Sequence, residues 1–450
     1  MRNVTVLCLL LFTVAPAAWQ VIPVDTAGTD ARGWWTSMKV DGDDVHVAYA
    51  RRLSAGQLQT TINYALSTDR GRTWTLETVD TCANYGSGYA LLGWWRGGLD
   101  LESDGTPQVA YTVEASVGTF CMRARRAGPG NWDLDTVEMR TSQPLVCHDA
   151  DLKIGANDMA HVVYTHYGEM TRYAVEDDTG WFRHDLALGA PYGVGLELDS
   201  SHNPHVVVGT LNDVHYAWST DGGGTWSTER IDGGWWHVDI DLDDQCRPHV
   251  AYIRTNDHIR FARRDGPGSW TTSYVDAGGG NCCRPCIYCT PGSDNIRLAY
   301  YPTMSSSALK SALTTDRGSN WSLEQVTTTG GVYSSCSAPD IAEDGSGRYV
   351  AFQWPGYRLG FAVEDYVGIA EQPAGPVESI RVWPTLCRVR ATVSLEQPAQ
   401  EVCLHDASGR LVRSLSAHGR TELQLDVSDL GPGVYLVTAG AAQGRLVVAR

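Results

Sequence analysis

Beyond residue 14 the chain lacks any long apolar run, so no later segment is built to cross a bilayer as a helix. It is also short of positive charge. Lys and Arg number 35 against 52 Asp and Glu, a net charge of −17. Phosphate binding needs a basic footprint, so nucleic acid is excluded as the main partner. Residues 377–450 are nearly neutral, with eight Arg and seven Asp or Glu, which leaves the acidity on the N-terminal body. The one apolar run opens the chain: Met1-Arg2-Asn3, then Val4 to Val14, then Ala15-Pro16-Ala17-Ala18. A positive start, a short apolar stretch and small residues at a cleavage point predict a secretory signal peptide over 1–17. An even cysteine count is missing too. Of twelve Cys, Cys8 leaves with the signal and eleven remain, so at least one has no partner within the chain.

What the chain does have is a repeat. One unit reads Trp235-Trp236-His237-Val238-Asp239-Ile240-Asp241, then Pro248-His249-Val250-Ala251-Tyr252, then His258-Ile259-Arg260-Phe261-Ala262, then Ser269 to Asp276. Alternation with period two between turn residues marks half-buried strands. The second segment recurs at Val45-His46-Val47-Ala48-Tyr49, Gln108 to Tyr111, His161 to Tyr164, His205 to Val208, His249 to Tyr252, Arg297 to Tyr300 and Tyr349 to Phe352. Repeats of this length suit the four-stranded blade of a β-propeller. The seventh copy has no Trp-containing fourth strand, and the missing piece appears as Trp19 to Asp25, patterned like Trp226 to Asp232. The reading is an all-β, seven-bladed β-propeller over 18–368, its last blade completed by the mature N-terminus. A Pro/Gly-rich linker at 369–376 and a C-terminal immunoglobulin-like β-sandwich at 377–450 follow.

Three turns share one motif: Ser67 to Trp74, Ser219 to Trp226 and Thr314 to Trp321, each with Asp at its third position and Gly at its fifth. The Asp accepts bonds from its own turn and the Gly supplies positive φ. This resembles the Asp box, the bacterial neuraminidase repeat of sialidase-type propellers. The resemblance implies the fold. It transfers no catalytic residue, because the family's Arg-Ile-Pro motif is absent and no pattern assigns Arg51, Arg96 or Arg254. The C-terminal segment, through Val382-Trp383-Pro384, Asp406 to Arg410, Leu430 to Leu436 and the terminal Arg450, is similar to the type A sorting domain of the type IX secretion system. In place of that family's Asn-Pro stand Thr385 and Leu386. This resemblance implies type IX secretion machinery as a partner and a secreted or outer-surface location in a Gram-negative-type bacterium.

In such a blade the loop entering the first strand and the loop joining strands two and three share one face, with the Asp-box turns on the other. One residue per blade entrance gives the candidate ligand-binding set Trp35, Trp95, His148, Tyr192 and Trp236, since exposed aromatic faces stack on sugar rings. The competing reading is that such Trp residues wedge between blades as core. Cys282 to Cys289 holds Cys-x-x-Cys spacings that invite zinc, but export favours disulfides, with Cys147 and Cys336 as possible partners. Acidic clusters such as Asp41 to Asp44 and Asp241 to Asp244 are turn chemistry in preference to calcium. The expectation is no metal and no cofactor. The functional reading is a secreted or surface propeller binding glycans or other surface polymers at the channel mouth. A sialidase-type exo-glycoside hydrolase, with Glu169 and Asp257 as carboxyls on the right face, and a purely structural surface protein are the alternatives.

Overall fold

The computed structural model describes residues 19–25, 35–52, 60–85, 90–92, 96–141, 147–166, 169–235, 237–254, 258–277, 284–302, 308–328, 338–354, 358–365, 381–383, 386–387, 389–406, 411–439 and 442–448. The chain divides into two compact units at 367/368. The first unit is seven antiparallel sheets in sequence order, each a meander. Their first strands are Thr36–Asp41, Gly98–Leu101, Cys147–Ile154, Pro191–Leu198, Val238–Leu242, Cys286–Cys289 and Asp340–Glu343. Each first strand touches the next, and the seventh touches the first. Sheet 2 carries one extra short strand, Ala90–Leu92.

The seventh sheet is completed from the other end of the unit. Strand β1 (Gln20–Asp25) pairs antiparallel with Arg358–Asp365, with Ile22 opposite Phe361. The Trp-to-Asp pattern therefore marks an outer strand, and the Asp at its end has a defined job. Tyr49 of sheet 1 donates its hydroxyl to Asp25 at 2.9 Å. The same bond recurs between neighbouring sheets: Tyr111 to Asp80 at 2.7 Å, Tyr164 to Glu138 at 2.8 Å, Tyr252 to Asp232 at 2.7 Å and Tyr300 to Asp276 at 2.9 Å. The motif tyrosine is thus a buried polar tip satisfied by the preceding sheet. The motif histidine serves its own sheet: His46, His161 and His205 place Nδ1 at 2.5–2.6 Å from the third-strand hydroxyls of Tyr64, Tyr173 and Tyr216.

At the opposite edge, tryptophans wedge between sheets. Trp74, Trp132, Trp226, Trp270 and Trp321 each set an edge against a third-strand ring of the preceding sheet, with centroids 5.0–5.3 Å apart. In the three long turns the Asp holds the loop. Asp221 accepts the Thr225 N–H and hydroxyl, both at 2.8 Å; Asp69 does the same for Thr73, and Asp316 accepts the Asn320 N–H and side-chain amide at 2.9 and 2.7 Å. Gly71, Gly223 and Gly318 have φ of +83°, +102° and +88°, and a Cβ on any of them would overlap the ring of Phe361, Tyr173 or Phe261. The turn glycine is required by the neighbouring sheet as much as by its own backbone. The acidic hairpins also behave as turns: Asp104, Asp243 and Asp344 each accept a backbone N–H two residues on, at 2.7–3.0 Å.

The second unit is one hydrogen-bonded sheet network around Arg390–Asp406, which pairs with Arg381–Trp383, Leu411–Asp426 and Gly433–Ala439. Its core includes Val393, Val402, Leu404, Leu425, Val437 and Leu446. The Tyr435 hydroxyl donates to the Gly431 carbonyl at 2.8 Å and so pins the Leu430 to Tyr435 turn.

Two substitutions check these junctions. Asp25→Ala leaves the buried Tyr49 hydroxyl without its acceptor and should cost about 1–3 kcal/mol in urea unfolding. Gly222→Ala, with φ +71° and open space around it, should cost only the strain of about 1–2 kcal/mol. Gly223→Ala should cost clearly more, and equal losses would refute the packing role of the Tyr173 ring.

Candidate functional site

An inner strand has N–H groups on its free edge, and no further strand of its own sheet is there to take them. Here the preceding sheet supplies side-chain acceptors. Ser37 accepts from Leu99 N–H at 3.0 Å, Asp100 from Ile154 at 2.8 Å, and Asp149 and Asp151 from Val194 and Leu196 at 3.3 and 3.0 Å. Asp239 and Asp241 accept from Ile287 and Cys289 at 3.0 and 2.6 Å, and Asp340 from Met38 at 2.7 Å. The fourth sheet has Gly195 at the matching place, where a Cβ would sit 3.3 Å from Ile240 N, so sheets 4 and 5 approach too closely for a carboxylate.

These carboxylates enclose a lumen, and two arginines cross it. Arg96, at the start of sheet 2, donates to Asp239 of sheet 5 at 2.6 Å and lies 3.5 Å from Asp151 of sheet 3. Arg284, at the start of sheet 6, pairs with Asp149 of sheet 3. His237, at the same level, is buried and its pKa falls to about 3, from burial and then from Arg284. Beyond this layer lies a cavity of about 300 Å³, reaching from Arg96 to Lys39, Lys153, Glu197, Tyr288 and Asp344. Lys39 pairs with Asp100 at 3.1 Å, and Lys153 with Glu197. Burial, and then the like charge of Lys39, lowers the Lys153 pKa, while Asp100 holds that of Lys39 above its ordinary value against the effect of burial. The chain has three lysines, Lys39, Lys153 and Lys310, and two of them line this cavity.

The sequence-derived site residues do not share one level. Strand pairing sets Thr36 opposite Tyr49, Ala150 opposite Tyr164, Val194 opposite Val208 and Val238 opposite Tyr252. The residues matching Trp35 are therefore Asp149, Gly193 and His237, and His148, Tyr192 and Trp236 sit one place earlier. Bulges between Cys147 and Ala150 and between Pro191 and Gly193, with hairpins of unequal length, defeat a simple count. Trp35 is 1% exposed, and its indole fills the space left by Gly97 beside Leu99 and Tyr111. It is a core wedge, which corrects its place in the ligand-binding set. Tyr192 is half-buried in the bulge. His148 lies in the strand Cys147–Ile154 with its side chain outside the described residues, as Trp95 and Trp236 lie entirely.

The cysteine expectation also changes. Cys286 and Cys289 are unpaired and buried, and they fall in separate core clusters on the two faces of one strand. Three residues apart in a period-two element, they face away from each other, so their spacing makes neither a disulfide nor a zinc pair. Cys282, Cys283 and Cys336 lie outside the described residues. Among the described residues no group of three or more His, Cys, Asp or Glu is suited to hold a metal ion. Glu169 is paired with Arg140 at 2.8 Å, and Asp257 lies outside the described residues.

The lumen layer of Arg96, Arg284, Asp149, Asp151 and Asp239 was missed from sequence, although the alternating Asp149-Ala150-Asp151 and Asp239-Ile240-Asp241 in inner strands signal it. Arg96→Ala should leave Asp239 and Asp151 uncompensated and cost about 3–5 kcal/mol. Arg96→Lys keeps the charge and loses the two-pronged geometry, so urea unfolding should place it between the two.

Among known proteins, no curated protein matches the sequence. Solved structures are similar at low identity. A protein of unknown function from Dyadobacter fermentans is 13% identical over 78% of this chain and 98% of that one, with a TM-score of 0.46. The NanB sialidase of Streptococcus pneumoniae is 12% identical over 78% of this chain and 70% of that one, with a TM-score of 0.44. The Aleuria aurantia lectin is 16% identical over 60% of this chain and 94% of that one, with a TM-score of 0.42. Residues 381–449 match the family model of the secretion system C-terminal sorting domain. The C-terminal unit thus carries a type IX sorting domain, and the chain is a secreted or outer-surface protein.

Proposed function

We propose that the first unit is a closed seven-bladed β-propeller that binds glycans or other surface polymers at its channel mouth, with residues 377–450 serving export and anchoring. The observation that carries this reading is the crossing of the lumen by Arg96 and Arg284. With the lumen blocked at that level, a ligand meets a floor and the loops around it, a shallow surface suited to an extended polymer. The contact of each first strand with the next, and of the seventh with the first, supports ring closure. Loop variation on a rigid scaffold favours the mouth over the opposite face, where the turns repeat. The described carboxyls favour binding over hydrolysis: Asp149, Asp151 and Asp239 are held by arginines and backbone N–H groups, and Glu169 by Arg140.

A glycan array on the mature protein tests the reading. On a ligand so found, Trp95→Ala and Trp236→Ala should each weaken binding by on the order of 1 kcal/mol per stacked ring with the melting temperature kept. Asp221→Ala should lower stability and leave the affinity of the folded fraction alone. The reverse pattern would move the site to the face of the long turns. A reporter fused to 377–450 should reach the surface of a type IX-competent host, and retention in the periplasm would contradict the sorting role.

A further inference from the structure

The wall of the cavity beyond the Arg96 layer has hydrogen-bonding capacity that the protein does not use. The cavity runs along the inner strands from Arg96 to Asp344, which belongs to the hairpin after the strand Asp340–Glu343. Asp344 is half-buried, and Gly345 beside it and Asp41 and Gly42 of the first hairpin are exposed, so the cavity meets solvent at the hairpin end. An ammonium donates through every N–H it carries, and a carboxylate oxygen accepts through each of its lone pairs. Among the described residues Lys39 is bonded to Asp100 alone, at 3.1 Å, and Lys153 to Glu197 alone. Asp241 accepts one N–H on each oxygen, from Leu242 at 2.8 Å and from Cys289 at 2.6 Å. Asp340 does the same with Ile341 at 2.9 Å and Met38 at 2.7 Å. Each lysine therefore keeps donors, and each of these aspartates keeps acceptors, for a molecule in the cavity.

This mixture selects the ligand. A cation would use the aspartates and leave the lysines, and an anion would do the reverse. A hydroxyl donates to a carboxylate and accepts from an ammonium, so a polyol satisfies both kinds of group. Charge sets a further limit. Lys39 with Asp100 and Lys153 with Glu197 cancel, Arg96 answers both Asp151 and Asp239, and Asp241 and Asp340 make no ion pair among the described residues. The excess is negative and turns anionic ligands away. Tyr288, half-buried in the wall, has its hydroxyl fixed on the Glu343 carbonyl at 2.7 Å, and its ring offers the C–H face of a sugar an apolar surface. At about 300 Å³ the cavity is at the small end of ligand pockets, which run from roughly 300 to 1,000 Å³. We propose that this cavity is a binding site for a single uncharged monosaccharide unit, entered from the hairpin end and separate from the channel mouth. Lys39 and Lys153 donate to its hydroxyls, and Asp241 and Asp340 accept from them. The site does not depend on the reading of the mouth.

Ligand-observed NMR and isothermal titration on the mature protein test this, with glucose, galactose, mannose and fucose as probes and glucuronate as an anionic counterpart. At least one neutral sugar should bind at millimolar concentration or better, and glucuronate should not. Lys153→Met combined with Glu197→Gln keeps the shape and net charge of the wall and removes donors, so it should weaken binding about tenfold. Should that variant fail to fold, Asp241→Asn keeps one acceptor oxygen, loses the other, and should weaken binding as well. Each titration is repeated in a protein carrying Trp95→Ala and Trp236→Ala, which removes the aromatic candidates of the mouth. A neutral sugar bound in that background, and bound more weakly once the cavity substitutions are added, supports the site. No neutral sugar bound there, binding that the cavity substitutions leave unchanged, or glucuronate bound as tightly as the best neutral sugar would overturn the proposal. The mouth reading is judged on the ligand found by the glycan array, so either reading can fail while the other stands.

Discussion

The first unit depends on finding acceptors for the N–H groups that its inner strands turn toward the axis. A strand buried on a free edge leaves these donors without partners at a cost of about 1–3 kcal/mol each. The chain answers with short side chains from the preceding sheet, mostly aspartates, which reach across one junction and no further. This choice has consequences. Each carboxylate that satisfies a donor brings a charge into the lumen, so cations must follow. Arg96 and Arg284 are the result, each reaching a carboxylate three sheets away. These ion pairs are therefore a by-product of backbone satisfaction before they are anything functional.

The outer junctions solve a different problem with a different set. There the sheets meet over aromatic area, and the polar tips of that area need partners. Tyr252 reaches Asp232, and Trp270 donates its indole N–H to Glu229 at 3.0 Å, with Arg264 bonded to the same carboxylate. Trp132, Glu77 and Arg126 repeat the arrangement three junctions earlier. Where the long turn replaces the short hairpin, Trp74 and Trp226 turn their N–H to the Gly71 and Gly223 carbonyls, while Trp321 donates to the Ser273 hydroxyl of the preceding sheet at 3.2 Å. Two turn types thus reach the same wedge geometry by different hydrogen bonds, which is why the Trp survives where the rest of the motif shortens.

Much of this was legible in the sequence, because repetition and period are one-dimensional. The outer strand Trp19 to Asp25 could be assigned to the last sheet by its likeness to Trp226 to Asp232, and the long turns by their Ser/Thr-x-Asp-x-Gly spacing. The site was less legible for geometric reasons. Trp35 and Trp236 look equivalent when residues are counted, yet hairpins of unequal length put His237, not Trp236, at the register position of Trp35. The Cys286–Cys289 spacing suggests a pair only if the element is a loop or helix. The lumen residues were harder still, since Arg96 and Asp239 are 143 residues apart and meet only through the packing of the sheets. Alternating aspartates in an inner strand are the one local trace of that packing.

The division between the two ends of the unit also bears on where variation is tolerated. At the end of the long turns, a change in Gly71 or Gly318 meets a ring of the preceding sheet, and a change in Asp69 or Asp316 opens the loop that holds the Trp wedge. Those turns are bound to their neighbours and cannot drift without loss of a junction. On the other face the sheets are joined below the surface, through Tyr49, Tyr111, Tyr164, Tyr252 and Tyr300 and through the lumen layer. One end of the unit is thus tied through turns and the other through strands, and only the turn bonds oblige the sequence to repeat its Asp and Gly.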